Sequence, residues 1–404
     1  MVTIPWKAWY GDERFELAFP SGWEATLFPM QDGLPMGDEG IRRALSSPIA
    51  NQPLSSIAKG KKSAVIVVDD ISRPTPVYRI LPFIMDELRS AGIGEKDVRI
   101  IMSLGAHRPM TRDDLIKKLG ETAWQSIEIH NHHPYENLAY LGKSNRGTPI
   151  YINKLFMDAD VKIGIGCIVP HSYAGFSGGG KIILPGIAGI ETLEANHQSA
   201  SHGLTVGLGM VEGNDLREDI DEIAKKAGLD FIVNAVVNSK RDLAGLFAGD
   251  VIQAHREGVK LARRVYGTAV PSGLDVAILN AYPKDTDLFQ ASLALQLYMS
   301  AGDGLVKKDG VIVIASASPE GGGFHSLEGY QMRLYGYHDQ SKALGDRTLC
   351  IFSPNVTSKE VGKYYSPSTL YFDAWEKLIA YLQQRFSHPC SVGIFPCASI
   401  QLAM

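Results

Sequence analysis

The stretch Ala64-Val65-Ile66-Val67-Val68-Asp69-Asp70 decides the fold. Its apolar residues are mostly β-branched and show no polar alternation, so they read as a strand covered on both faces, as in a parallel sheet. Tyr78 to Ser90 then carries a helical period and stops at Gly92. Val98 to Leu104 is a second apolar run. After it Thr111, with Asp114 three residues on, opens another helix in the manner of a capping box. Asp160 to Ile168 is a third run. Strands that alternate with helices predict an α/β architecture with mainly parallel sheets.

Upstream, Phe15 to Phe28 alternates apolar and polar residues and reads as strands. Downstream, Asn214 and Asp250 are expected N-caps of two helices that stop at Gly228 and Gly267. Tyr266 to Gly273 breaks the periodicity and marks a boundary. Beyond it come a strand over Asp275 to Leu279, a helix over Leu288 to Ala301, and strands at Val311 to Ala315 and Leu349 to Phe352. A helix from Ser368 to Arg385 and a strand at Val392 to Phe395 complete the pattern. The reading is two α/β domains, 1–266 and 274–404, with the active site in the cleft between them.

Composition excludes several classes. Of the 404 residues 45% are hydrophobic and 21% charged, which describes a globular chain rather than a disordered one. A formal charge of -4, with no long Lys/Arg run, leaves no electrostatic footprint for nucleic acid or an anionic membrane. No apolar stretch reaches transmembrane length, and the first residues do not resemble a signal peptide. Four scattered cysteines form no Cys-x-x-Cys pair, so a reducing cytoplasm is the expected location.

Three of the apolar runs end in ionisable clusters: Asp69-Asp70-Ile71-Ser72-Arg73-Pro74, Gly105-Ala106-His107-Arg108-Pro109 and Pro170-His171. In open α/β sheets ligands bind outside the carboxyl ends of the strands. One cluster alone reads better as a turn with solvated charge. Three, on parallel neighbours, would line one crevice. His107 and His171 suit proton transfer at neutral pH. Arg73 or Arg108 suits a carboxylate, through a forked pair of hydrogen bonds. Asp70 can orient a histidine, whereas Asp69 reads as readily as a strand-end cap.

The densest local signal is Gly175-Phe176-Ser177-Gly178-Gly179-Gly180-Lys181-Ile182-Ile183-Leu184-Pro185-Gly186. Gly178, Gly179 and Gly180 would let backbone amides approach an anion, and Lys181 adds a charge or a nucleophilic amine. The spacing is nearly that of a nucleotide-binding P-loop, but Ile182 stands where Ser or Thr would hold magnesium. His197 follows on an expected helix. His130-Asn131-His132-His133 fits no metal-ligand spacing and reads as a solvated loop, and His202 and His255 carry no argument.

Taken in order, these segments, with Asn196-His197 and Tyr282-Pro283-Lys284-Asp285, resemble the nickel-dependent lactate racemase family from about residue 60 to about residue 325. The resemblance implies an isomerase acting on a 2-hydroxy acid. Its implied cofactor is a nickel-pincer nucleotide, the nickel complex of pyridinium-3-thioamide-5-thiocarboxylic acid mononucleotide, carried covalently on Lys181. The implied partners are the enzymes that build that cofactor. By the same resemblance His197 completes the nickel coordination, His107 and His171 are the acid/base pair, Asp70 supports them and Arg73 contacts substrate. Gln290 matches a substrate-binding glutamine. Phe289 stands where the family has tyrosine, and Leu293 where it has a lysine that grips the carboxylate. Losing a phenol and a cation there implies a substrate other than lactate: a larger 2-hydroxy acid, or an aldonic acid epimerised at C2. A non-catalytic relative that binds the cofactor or a carboxylate, and a phosphate-handling enzyme, are the competing readings.

Overall fold

The computed structural model describes residues 1–199, 204–336, 341–386 and 389–404. The chain divides into two compact units, Gly33–Val265 and a second made of Met1–Asp32 with Tyr266–Met404. The first 32 residues therefore do not belong with the segment that follows them, as one boundary near residue 270 had implied. The reason is strand pairing. Glu24–Leu27 lies parallel to Ser391–Phe395, with Ala25 opposite Val392 and Leu27 opposite Ile394. Alternation over so short a strand shows that it has two faces but does not name its partner.

In the unit Gly33–Val265 a six-stranded sheet runs in the order Leu243–Gly249, Phe231–Val237, Val161–Cys167, Ala64–Asp69, Val98–Ser103, Glu128–Asn131. All neighbours are parallel except the first pair. Every residue of Ala64–Asp69 is buried, as its uninterrupted apolar run predicts. After this strand the chain steps to Val98–Ser103 on one side and only later to Val161–Cys167 on the other. The sheet order therefore reverses beside Ala64–Asp69, and the three runs with ionisable ends are the three neighbours that meet there.

The second unit has its own parallel sheet, ordered Leu370–Phe372, Thr348–Phe352, Val306–Ala315, Leu274–Asn280, Ser391–Phe395, Glu24–Leu27. The two-residue strand period sends Ala277, Leu279, Ile312 and Ile314 into one core and Val276, Ile278, Val311 and Val313 into the other. Ser368 to Ala374 is not the start of the expected helix. Leu370–Phe372 is an edge strand beside Cys350–Phe352, and the helix begins at Trp375. Two aromatic neighbours and a leucine fit a pleated edge better than a helix turn. The helix expected over Leu288 to Ala301 is broken by a 3₁₀ turn at Ser292–Ala294. Among the described residues no helix is long and apolar enough to cross a membrane, and all four cysteines are buried free thiols.

Candidate active site

The site grows from the carboxyl end of Ala64–Asp69. Asp69, the last residue of that strand, is a buried brace rather than a cap facing solvent. Its Oδ2 accepts from Thr75 Oγ1 at 2.5 Å and from the Cys167 amide at 3.1 Å, and Lys118 Nζ lies 2.8 Å from its Oδ1. Lys118 is fully buried, and its ammonium also donates to the carbonyls of Asp70 and Arg73, both at 2.9 Å. Two hydrogen bonds to carbonyls and the opposite charge of Asp69 are what make a buried ammonium tolerable. The loop that carries Asp70, Ser72 and Arg73 is thereby pinned.

Lys118 is not among the residues expected at the site, although its helix carries a signal for it. On the helix Arg112–Leu119 it shares the buried face with Asp114, Leu115 and Leu119, and a lysine on such a face calls for a buried acceptor. The capping box of that helix is present as expected. Arg108, the alternative carboxylate anchor, directs Nη1 to Asp114 Oδ2 at 2.8 Å and to the Pro109 carbonyl.

On this frame Asp70 Oδ2 accepts from Nδ1 of His107 at 2.5 Å, while Oδ1 accepts from the amide and the hydroxyl of Ser72. Burial works to raise the Asp70 pKa, but His107, Arg73 and the Ser72 hydroxyl outweigh it and hold the carboxyl well below the usual range. An ionised Asp70 puts the imidazole hydrogen of neutral His107 on Nδ1 and the lone pair on Nε2. His171 is set the other way. Its Nδ1 accepts from the amides of Tyr173 and Ala174, both at 3.3 Å, so its ring hydrogen belongs on Nε2. The two imidazoles are thus held in opposite tautomers, with the lone pair on Nε2 of His107 and the hydrogen on Nε2 of His171.

Backbone hydrogen bonds join these segments to the one that carries Lys181. Gly105, two residues before His107, donates to the Gly186 carbonyl at 2.8 Å, and Ser103 Oγ donates to the Ile182 carbonyl. On the other side Pro170–His171 pairs with Gly175–Phe176, and the Ser177 amide donates to Val169. Lys181 lies in the 3₁₀ turn Gly179–Ile182.

The glycines before Lys181 owe their identity to the protein's own packing. A Cβ at Gly178 would stand 2.8 Å from Asn234 Oδ1, at Gly179 3.0 Å from the His255 ring, and at Gly180 2.9 Å from the Ala224 methyl. Gly178 and Gly179 also have φ of +77° and +59°. The amides of Ser177, Gly179 and Lys181 are taken by Val169, Asn234 and Gly178, so they form no row of donors for a phosphate. Ile182 packs on Gly164 of the sheet. Arg217, fully buried, donates to the carbonyls of Ala174, Phe176 and Gly178, and His255 donates to that of Ser177. Burial lowers the Arg217 pKa to about 10 despite Asp221, which leaves it charged at neutral pH.

His197 lies on the helix Ile190–Ser199, with Nδ1 donating to the Leu193 carbonyl at 2.8 Å, so the lone pair is on Nε2. Metal-binding imidazoles commonly hold their other ring hydrogen on a carbonyl in this way. Asn196 beside it is tied to buried Asp219. Among the described residues no three His, Cys, Asp or Glu side chains could together hold a metal. A metal at His197 therefore needs donors from a non-protein ligand. The imidazole of His197 can serve as one ligand to a group that brings its remaining metal donors itself.

His132 is not in a solvated loop. It is 3% exposed, donates from Nε2 to the Ala188 carbonyl and accepts from Asn153, and burial lowers its pKa to about 4. His202 lies outside the described residues.

Gln290, Phe289 and Leu293 belong to the other unit. Gln290 is buried in the helix capped by Asp287, whose Oδ1 accepts from the Gln290 amide. Phe289 stacks on His325 with ring centroids 4.8 Å apart, and Leu293 lies in the 3₁₀ turn. Asp285 of the Tyr-Pro-x-Asp motif has a structural task, since its carboxylate accepts the amides of Lys7 and Ala8.

A family model described as the lactate racemase N-terminal domain matches residues 10–207. A lactate racemase of Thermoanaerobacterium thermosaccharolyticum is 35% identical over 300 residues, 73% of this chain and 68% of that protein. The chain belongs to the lactate racemase family. A lactate racemase of Lactiplantibacillus plantarum is 31% identical over 76% of this chain and 71% of its own. The lactate racemase apoprotein structure from T. thermosaccharolyticum superimposes with a TM-score of 0.79 at 25% identity, covering 100% of this chain and 99% of that one. A Thermotoga maritima protein shares the fold at a TM-score of 0.71 and 21% identity, over 92% of this chain and 99% of its own. As a member of the lactate racemase family the chain is an isomerase.

Proposed function

We propose that this isomerase inverts C2 of a 2-hydroxy acid, with His107 and His171 exchanging the hydroxyl proton from opposite faces. The observation that supports the reading is their opposite hydrogen-bonding state, after the two strands that flank Ala64–Asp69: Nδ1 donates to Asp70 in His107 and accepts from two amides in His171. The lone pair on His107 Nε2 takes the hydroxyl proton, and Asp70 stabilises the imidazolium that results. The hydrogen on His171 Nε2 goes to the oxygen from the other side. Arg73 holds the substrate carboxylate.

The C2 hydrogen is the hard part, because leaving as a proton next to a carboxylate would concentrate negative charge. A nickel-pincer nucleotide on Lys181, with His197 as metal ligand, would supply a hydride acceptor. Lys181 and His197 then serve to fix that group, and the glycine turn, clamped by Arg217, His255 and Asn234, sets where the Lys181 side chain starts. Leu293 and Phe289, in place of a lysine and a tyrosine, favour a substrate other than lactate, either a larger 2-hydroxy acid or an aldonic acid epimerised at C2.

Co-expression with the cofactor-building enzymes, followed by intact mass and a chiral screen of 2-hydroxy and aldonic acids, tests the proposal. An adduct on Lys181 and inversion in D2O with the C2 hydrogen retained are expected. Full activity of unmodified chain, or rapid deuterium entry at C2, would overturn the hydride route.

A further inference from the structure

Ser72 stands at the junction of two groups to which the proposed reaction gives separate tasks. Its hydroxyl donates to Asp70 Oδ1, accepts from Arg73 Nη1 at 2.8 Å and lies 3.4 Å from His107 Nδ1. Its amide donates to the same Asp70 oxygen at 2.9 Å, and the residue is 6% exposed. A hydroxyl has one hydrogen and two lone pairs. Here the hydrogen goes to the carboxylate and a lone pair receives the guanidinium, so Arg73, Ser72 and His107 all direct positive or donor ends toward Asp70. Lys118 fixes the backbone on both sides of Ser72, through the carbonyls of Asp70 and Arg73.

We propose that Ser72 is a positioning residue: its hydroxyl bridges Arg73 to the Asp70–His107 pair and so sets the spacing between the substrate-carboxylate anchor and the acid/base imidazole. The proposal rests on the reading of Arg73 and His107 given above. The physical need is plain. Arg73 is a long side chain with several soft torsions, and a productive pose requires a carboxylate and a hydroxyl on adjacent carbons to be met together. A displacement of about 1 Å in either group costs on the order of a hundredfold in rate. In Ser72→Ala the guanidinium loses the hydroxyl acceptor at 2.8 Å, keeping the Ser72 carbonyl at 3.5 Å, and Asp70 Oδ1 keeps only the amide. Ser72→Thr retains the hydroxyl.

The test compares cofactor-loaded wild type, Ser72→Ala and Ser72→Thr on the substrate that the chiral screen identifies. Ser72→Ala is expected to raise KM and lower kcat, each by roughly tenfold, because both anchor and imidazole lose registry. Ser72→Thr is expected to recover most of both. The cofactor-free chain supplies a second readout. With 15N-labelled histidine, the Nδ1 proton of His107, assigned by its loss in His107→Gln, should be a sharp resonance in wild type and Ser72→Thr. In Ser72→Ala it should broaden through exchange with water. If loaded wild type inverts none of the acids, the functional reading fails while the imidazole spectra still decide the role of Ser72. Unchanged KM in Ser72→Ala, or an Nδ1 resonance as sharp as in wild type, overturns the proposal.

Discussion

Asp70 Oδ2 and His107 Nδ1 are 2.5 Å apart, and the carboxylate also receives both donors of Ser72, so the imidazole faces an acceptor that stays ionised. Asp70→Asn keeps the shape but removes the charge and offers an amide that can donate to Nδ1, which favours the wrong tautomer. Turnover of the loaded enzyme should fall by roughly a hundredfold or more, with Lys181 still modified by intact mass. The folded pKa of Asp70 is depressed, so its contribution to stability is present above the unfolded carboxyl value and is lost as pH falls through the folded one. Acid unfolding of Asp70→Asn should lack that component.

His132 makes the opposite prediction about pH. Its folded pKa, about 4, lies below the ordinary histidine value, so the unfolded chain binds the extra proton first as pH falls. Stability associated with neutral His132 is complete above about pH 6.5 and declines toward pH 4, by roughly 2 kcal/mol at pH 5. Urea unfolding at pH 7 and pH 5 measures it. His132→Gln should be less stable at pH 7 and show a smaller fall between the two. Buried His255, also lowered by burial, keeps the remaining slope in the same direction.

Two glycines differ in why they resist substitution. A Cβ at Gly186 would meet Ser103 Oγ at 2.0 Å and the Ile182 carbonyl at 2.1 Å, whereas one at Gly92 would meet nothing within 4 Å. Gly186→Ala should cost roughly 3 kcal/mol or more, since backbone has to move. Gly92→Ala, at φ +93°, should cost about 1 kcal/mol from strain alone. Thermal melts of both variants give the comparison.

Substrate preference should respond to Leu293 and Phe289. On the proposed reading, Leu293→Lys with Phe289→Tyr raises kcat/KM for lactate relative to the acid that the chiral screen identifies by roughly tenfold or more, since a cation and a phenol are added. Competition between the two acids, followed by chiral chromatography, reads the ratio.

Much of this site was legible in the chain. An unbroken β-branched run followed by Asp69-Asp70 is enough to place a buried parallel strand with charge at its end, and the neighbouring runs behaved alike. His107 and His171 were read from such positions, and Lys181 from the glycine-rich segment Gly175 to Gly186. What the sequence hid was long-range pairing. Nothing local says that Lys118 meets Asp69, that Arg217 closes on the loop at Ala174 to Gly178, or that His132 is buried under Ala188. The role of the glycines was hidden for the same reason, because the atoms that forbid a side chain there come from Asn234, His255 and Ala224. Glu24–Leu27 found its partner at the far end of the chain.

That last pairing bears on synthesis. Gly33–Val265 has all its strands in hand once its own residues have left the ribosome, and it can fold while translation continues. The other unit cannot close its sheet until Ser391–Phe395 emerges, so the early segment Glu24–Leu27 waits as an unpaired edge through nearly the whole of elongation. Slow translation of the last third of the message would prolong that exposure, and aggregation of nascent chains should begin there.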